Sequence, residues 1–229
     1  MKENFIHICM VIDESGSMSG KENDVVGGFK SVIDEQKANT EGTCSVSYFK
    51  FSDGVEEVYR GVDVRDVEPI EGKYHPHGLT ALFDGVGIAI DRIGEWLASM
   101  DESERPEKNL VVIMTDGGEN NSSEYTADRV REMIKHQENK YNWSFVYMGS
   151  DLKDAHDANI IGIDTKLYAS GADYLKNYDV INSVATAYRT TVGDASVKCM
   201  AFSSTLDCMC EESTAKYAAD NNIDINDLQ

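Results

Sequence analysis

Two short loops and one helix start gather a set of hard oxygen donors that this chain could turn to chemistry. Directly after an apolar run at 5–12 (FIHICMVI) come Asp13, Glu14, Ser15, Gly16 and Ser17. Directly after a second apolar run at 110–114 (LVVIM) come Thr115, Asp116, Gly117 and Gly118, and between the two stands Gly78-Leu79-Thr80. Asp13, Ser15 and Ser17 alternate, so in extended backbone their side chains point the same way. With Thr80 and Asp116 they offer two carboxylates and three hydroxyls, with no histidine or cysteine among them. Such a set suits Mg²⁺, with Mn²⁺ or Ca²⁺ as alternatives, and argues against zinc or copper. Neutral hydroxyls leave an ion more positive than a carboxylate cage would, so it keeps its attraction for an outside anion. A six-coordinate Mg²⁺ held by three hydroxyls and waters has room for one exchangeable ligand, and a carboxylate from a partner protein is the natural candidate.

Those loops need a frame, and the periodicity supplies one. The runs at 5–12 and 110–114 are apolar throughout, as strands buried on both faces are. Val25, Val26, Phe29, Val32 and Ile33 recur at helical spacing in a segment ending near Ala38. A strand begins at Cys44, the turn Ser52-Asp53-Gly54 follows, and 55–62 (VEEVYRGV) is expected to return antiparallel. Leu82, Val86, Ala89, Ile90, Ile93 and Leu97 mark a second helix, and 124–139 a third with Ser122 or Ser123 as its N-cap. A strand at 143–148, a short helix, a weak strand at 166–169 and a helix at 173–190 complete the alternation. The expectation is an α/β fold: a central, mostly parallel sheet with one antiparallel edge strand, between helices on both faces. In such sheets ligands bind beyond the carboxyl ends of the strands, where the strand order reverses. If the first and fourth strands are neighbours there, all three loops converge. From 194 the pattern weakens into an acidic tail holding Cys199, Cys208 and Cys210.

Asp13-x-Ser15-Gly16-Ser17-Met18, then Thr80, then Thr115-Asp116-Gly117 resembles the metal-ion-dependent adhesion site of von Willebrand factor type A (vWA) domains. With Thr-Ala-Leu-Phe-Asp-Gly at 80–85, the form is similar to the bacterial and phage branches of that family. The resemblance spans residues 4–192 and implies the three-layer α/β/α, Rossmann-like vWA fold. It implies Mg²⁺ binding with Ser15, Ser17 and Thr80 as direct ligands, and Asp13 and Asp116 acting largely through bound water. It also implies an acidic residue of a partner completing the shell. Residues 1–193 are then the vWA-type domain; 194–229 is an extension, a small appendage or partly disordered, to which the family lends no function.

Simpler roles compete at several positions. Asp13, Ser15 and Ser17 suit a strand-to-helix turn, and Thr80 suits a helix N-cap. Glu119, Asn120 and Asn121 follow Asp116 and are placed to line the rim of the site, with ordinary loop polarity the preferred expectation; Asp84 is expected as a carboxylate favoured by the helix dipole. His75 and His77 flank Pro76 like a metal pair but are expected at the surface. Cys199, Cys208 and Cys210 lack the C-x₂₋₄-C pairs and fourth ligand of a structural zinc site, and Met100, Met114 and Met148 are expected to fill the core.

Other function classes fare worse. A phosphohydrolase with Asp13 as nucleophile wants a second aspartate two residues on as general acid, and position 15 is serine. Neither G-x-x-x-x-G-K-[ST] nor G-x-G-x-x-G is present for a nucleotide. A scaffold with an unused metal site remains as a third option. Lys and Arg number 21 against 41 Asp and Glu, a net charge of −20 over 229 residues. That balance repels nucleic-acid backbones and anionic membranes. It also calls for a partner whose exposed Asp or Glu is surrounded by a basic surface. The start, MKENFIHICM, lacks the h-region and cleavage site of a signal peptide, and the five cysteines lack a framework spacing. A cytoplasmic, non-enzymatic binding module is the expectation.

Overall fold

The apolar run that opens the chain becomes the centre of a six-stranded sheet. The computed structural model describes residues 1–149, 154–168, 174–221 and 223. Strand β1 (Lys2–Asp13) is followed by α1 (Glu22–Ala38), β2 (Thr43–Phe51), β3 (Val55–Asp63), α2 (Leu82–Ala98), β4 (Pro106–Met114) and α3 (Ala127–Tyr141). Then come β5 (Trp143–Gly149), α4 (Asp154–Ile161), β6 (Lys166–Tyr168), α5 (Tyr174–Thr190) and α6 (Ala195–Asn221). The sheet order is β3-β2-β1-β4-β5-β6, with β3 antiparallel to β2 and every other pairing parallel. The chain moves outward from β1 through β2 to β3, crosses back over β1 to β4, and continues outward on the other side. The order therefore reverses between β1 and β4, the position where a sheet of this kind opens a crevice.

Burial on both faces explains the apolar runs. Ile6, Ile8, Met10 and Ile12 of β1 enter a core with Phe29 and Val32 of α1 and Ile181 and Val184 of α5. The intervening Cys9 and Val11 enter a second core with Val86 and Ile90 of α2 and Val130 and Ile134 of α3. Each such aliphatic or aromatic side chain contributes about 1.5–3 kcal/mol when removed from water. The result is the α/β architecture expected from the sequence: a mostly parallel sheet, one antiparallel edge strand, and helices on both faces.

The strands and helices fall near their expected bounds, with two differences. Helix α3 starts at Ala127 with Thr126 as its cap, whose side chain accepts from Arg129 N at 3.3 Å. Ser122 and Ser123 do not cap it, because Asp84 takes the backbone N–H groups of Ser123, Glu124 and Tyr125 at 2.7–2.9 Å and holds that stretch in a loop. The segment from 195 to 221 is a helix, α6, where the sequence suggested an appendage or a partly disordered tail. Its stripe is Lys198, Phe202 and Leu206, four residues apart, and Phe202 meets Tyr188 of α5 with ring centroids 6.3 Å apart. The stripe escapes a hydrophobic pattern because its first member is a lysine. The expected ends at Ala169 and Asp173, and residues 224–229 of the tail, lie outside the described residues. Among the described residues no helix is long and apolar enough to cross a membrane.

Candidate metal centre

Because β1 and β4 are neighbours, the loops that follow them leave the sheet side by side, and the start of α2 lies across both. Gly16 N donates to the Gly78 carbonyl at 3.1 Å, and His77 N donates to the Glu14 carbonyl at 2.8 Å. Asn120 closes the third side: its N–H donates to the Thr80 carbonyl at 3.0 Å, and its Oδ1 accepts from Thr80 N at 2.9 Å. Gly78 stands at φ +72°, where a Cβ would collide with the Asp53 carboxylate that accepts from Leu79 N at 2.8 Å.

The five residues singled out in the sequence come together here. Asp13 is fully buried, with Oδ1 accepting from Ser15 N and Oδ2 from Thr115 Oγ1, each at 2.6 Å. Burial pushes its carboxyl up to about 6. The hydrogen bonds from Thr115 and Ser15 oppose that rise, and the charge of Asp116 adds to it. Ser15 and Ser17 hydroxyls are 3.0 Å apart. Gly117 marks the point of convergence. A methyl group placed on its Cα would lie 3.0 Å from Ser17 Oγ, 3.2 Å from Thr80 Oγ1 and 3.7 Å from Asp13 Oδ2. The missing side chain leaves a cradle on the third loop, lined by oxygen from the first loop and from the start of α2.

Asp116 faces the same edge with its side chain 5% exposed. Its Oδ2 is ion-paired with Lys21 Nζ, while Oδ1 is buried without a hydrogen-bond partner. Among the described residues it is the one carboxylate oxygen in that condition. Hydroxyl and carboxylate oxygens around a small gap, with an orphaned carboxylate oxygen on the residue just before Gly117, match the donor chemistry of a hard divalent cation.

Glu14 does not join them. Its side chain points away from its two neighbours, accepts from His75 N at 2.6 Å and pairs with Lys50 at 3.1 Å. His75 Nε2 and His77 Nδ1 each lie 2.8 Å from a backbone carbonyl of their own loop, and His77 Nε2 lies 3.4 Å from Ser52 Oγ, so the pair is engaged by hydrogen bonds within the chain. Among the described residues no group of three or more His, Cys, Asp or Glu gathers as a metal cage. All five cysteines are free.

Three residues named in the sequence turn out to support the site in ways the sequence did not specify. Thr115 fixes Asp13, Asn120 fixes Thr80, and Glu119 accepts from Phe83 N, Asn121 N and Ser122 N at 2.7–2.9 Å, tying the third loop to the start of α2. Only the Thr-Asp-Gly following a buried strand hinted at the first. For Glu119 and Asn120 their place just after Asp116 suggests the rim of the site, against the preferred reading of loop polarity.

No protein-family model matches the sequence, and no curated protein matches it closely enough to be a relative. Solved structures do match. Proximal thread matrix protein 1 of the mussel byssus, solved with its metal-ion-dependent adhesion motif occupied by zinc, aligns at 18% identity and TM-score 0.54 over 81% of this chain and 47% of that one. A von Willebrand factor type A protein from Catenulispora acidiphila aligns at 15% identity and TM-score 0.54, over 81% of this chain and 43% of that one. The corresponding domain of the type V pili tip protein Mfa5 from Porphyromonas gingivalis aligns at 12% identity and TM-score 0.59, over 82% of this chain and 97% of that one. The chain thus spans less than half of the mussel and Catenulispora proteins. Its sheet order, its flanking helix layers and these alignments agree: the fold of this chain is that of the von Willebrand factor type A domains.

Proposed function

We propose that this chain is a non-catalytic binding module that holds Mg²⁺ at Asp13, Ser15, Ser17, Thr80 and Asp116, and through it a carboxylate of another protein. The observation that carries this reading is the oxygen-lined cradle at Gly117 beside the orphaned Asp116 Oδ1. The ion supplies a positive point that three neutral hydroxyls leave unquenched. The chain's own residues place and orient the donors: Thr115 and Ser15 N hold Asp13, and Asn120 holds Thr80. Mn²⁺ and Ca²⁺ share the donor preference. The zinc found in the mussel protein belongs to that protein and supports a divalent ion at this kind of motif.

Asp13 as a phosphohydrolase nucleophile finds no support. Both its oxygens accept short hydrogen bonds and the side chain is buried, which suits a fixed acceptor and not an attacking group. The net charge of −20 favours a partner with a basic surface around its Asp or Glu, so that steering does not oppose the carboxylate's approach. Five free thiols accord with a cytoplasmic setting.

Calorimetric titration of metal-free protein with Mg²⁺ and Mn²⁺, beside Asp13→Ala and Thr80→Ala, tests the site. Saturable binding to the wild type that both substitutions weaken at least tenfold is expected. No binding at millimolar Mg²⁺ overturns the reading. A pull-down with and without chelator then tests the partner, and capture that strengthens steadily with added salt would contradict the basic-surface requirement.

A further inference from the structure

Lys21 stands in a position that its own helix does not favour. It is the residue at which α1 begins: its carbonyl accepts from Asp24 N and Val25 N, each at 3.0 Å. The N-terminus of a helix carries partial positive charge, which attracts acids and disfavours an ammonium. Two acids, Glu22 and Asp24, occupy that first turn as the dipole asks. Lys21 departs from the pattern and instead reaches across 95 residues of sequence to Asp116 Oδ2. Its side chain is 28% exposed, the aspartate's 5%. A locally disfavoured residue with a specific distant partner is the mark of a functional constraint.

We infer that Lys21 is a tethered cation that shares Asp116 with the metal and holds the ion's affinity low until an acidic ligand arrives. This rests on the metal-binding reading above. Asp13 and Asp116 bring two negative charges to the edge, and Lys21 cancels one of them. A divalent ion entering the cradle therefore meets a site with half the attraction, and with a fixed positive charge within reach of one of its acids. A carboxylate arriving from a partner compensates that charge, so metal and acidic ligand assist each other, each raising the other's affinity by the same factor. The orphaned Asp116 Oδ1 fits this division: one oxygen is committed to the ammonium, and the other is left for an ion or its water.

The test is a titration of the full chain with MgCl₂ alone, comparing wild type, Lys21→Gln and Lys21→Arg, with thermal unfolding in chelator and in saturating Mg²⁺ as a second readout. Lys21→Gln is expected to bind Mg²⁺ about tenfold more tightly, and Lys21→Arg about as the wild type does. In chelator Lys21→Gln should melt below the wild type, because Asp116 is left buried and unpaired. Mg²⁺ should raise its midpoint by more than it raises the wild type's. Unchanged or weaker binding by Lys21→Gln, with the wild type binding normally, overturns this inference and leaves the metal site standing. Absence of binding in all three proteins overturns both. Tighter binding by Lys21→Arg as well as Lys21→Gln would also overturn it, since the charge would then not be the cause.

Discussion

The two ends of the sheet carry buried charge in different ways. At the amino-terminal edge, Glu107 accepts from Asn4 N at 3.0 Å and pairs with Lys198 of α6 at 3.2 Å, both side chains under 10% exposed. Beside it Lys108 donates to the Asn142 carbonyl at 2.9 Å and lies 4.6 Å from the centre of the Phe202 ring, while burial pulls its ammonium down to about 8. Glu107, Lys198 and Lys108 are each answered from within the chain. At the carboxyl-terminal edge, Asp116 keeps one oxygen unanswered, and oxygens from Asp13, Ser17 and Thr80 surround a gap instead of one another. A buried polar group left incomplete costs about 1–3 kcal/mol, more when charged. The difference teaches that one class of interaction does two jobs: closed on itself it fastens a helix, and left open it offers a site.

Breaking the closed end should give the largest effect. Lys198→Met strands Glu107 in a buried position, and removing one member of a buried pair costs about 3–5 kcal/mol. Urea denaturation should show that loss, with Glu107→Gln/Lys198→Met recovering part of it, and the Mg²⁺ affinity of the folded protein should stay within about twofold of wild type, since the pair sits at the far edge of the sheet. A large change in affinity without loss of stability would erase the distinction between the ends.

The open end should respond in the opposite sense. Gly117→Ala places a methyl group into the cradle, against Ser17 Oγ and Thr80 Oγ1. Calorimetry should record a loss of Mg²⁺ affinity of about a hundredfold, near 2.7 kcal/mol. Unfolding free energy should move by less than about 1 kcal/mol, since the atoms nearest that position are side-chain oxygens of Ser17, Thr80 and Asp13 and no apolar core side chain is among them. Retention of full affinity would mean that the metal sits elsewhere.

The contrast between the ends also governs how much could be read from the sequence. Strands β1 and β4 were legible because burial on both faces demands uninterrupted apolar residues. The meeting of the five candidate residues at one edge was legible because each donor is delivered by the loop or helix start in which it stands. The supports were not. Asn120 reaches Thr80 from 40 residues away and Thr115 reaches Asp13 from 102, so neither pairing leaves a local trace. Helix α6 was hidden for the same reason, because Lys198 is a buried residue only by virtue of Glu107, 91 residues earlier. Local pattern reports what an element needs from water and from its own backbone; it is silent about partners brought in by topology.

A smaller effect separates the interior of β1 from both ends. His7 is fully buried, with Nδ1 2.8 Å from Ser45 Oγ, its ring 4.8 Å from that of Trp96, and Nε2 without a partner. Burial lowers its pKa from 6.5 to about 3. The folded chain therefore keeps the ring neutral between those values, whereas the unfolded chain protonates it once the pH falls below 6.5. The unfolded state then binds more protons, so stability is full above pH 6.5 and declines as the pH drops toward 3. From pH 6.5, where the unfolded ring is half protonated, to pH 5 the decline is about 1.6 kcal/mol. Comparing wild type with His7→Gln at both pH values isolates this term, because every other titrating group is common to the two proteins. Wild type should lose about 1.6 kcal/mol more than the variant on acidification. Equal losses would mean that the folded ring takes up its proton as readily as the unfolded one, and that the middle of β1 is less sealed from water than its surroundings indicate.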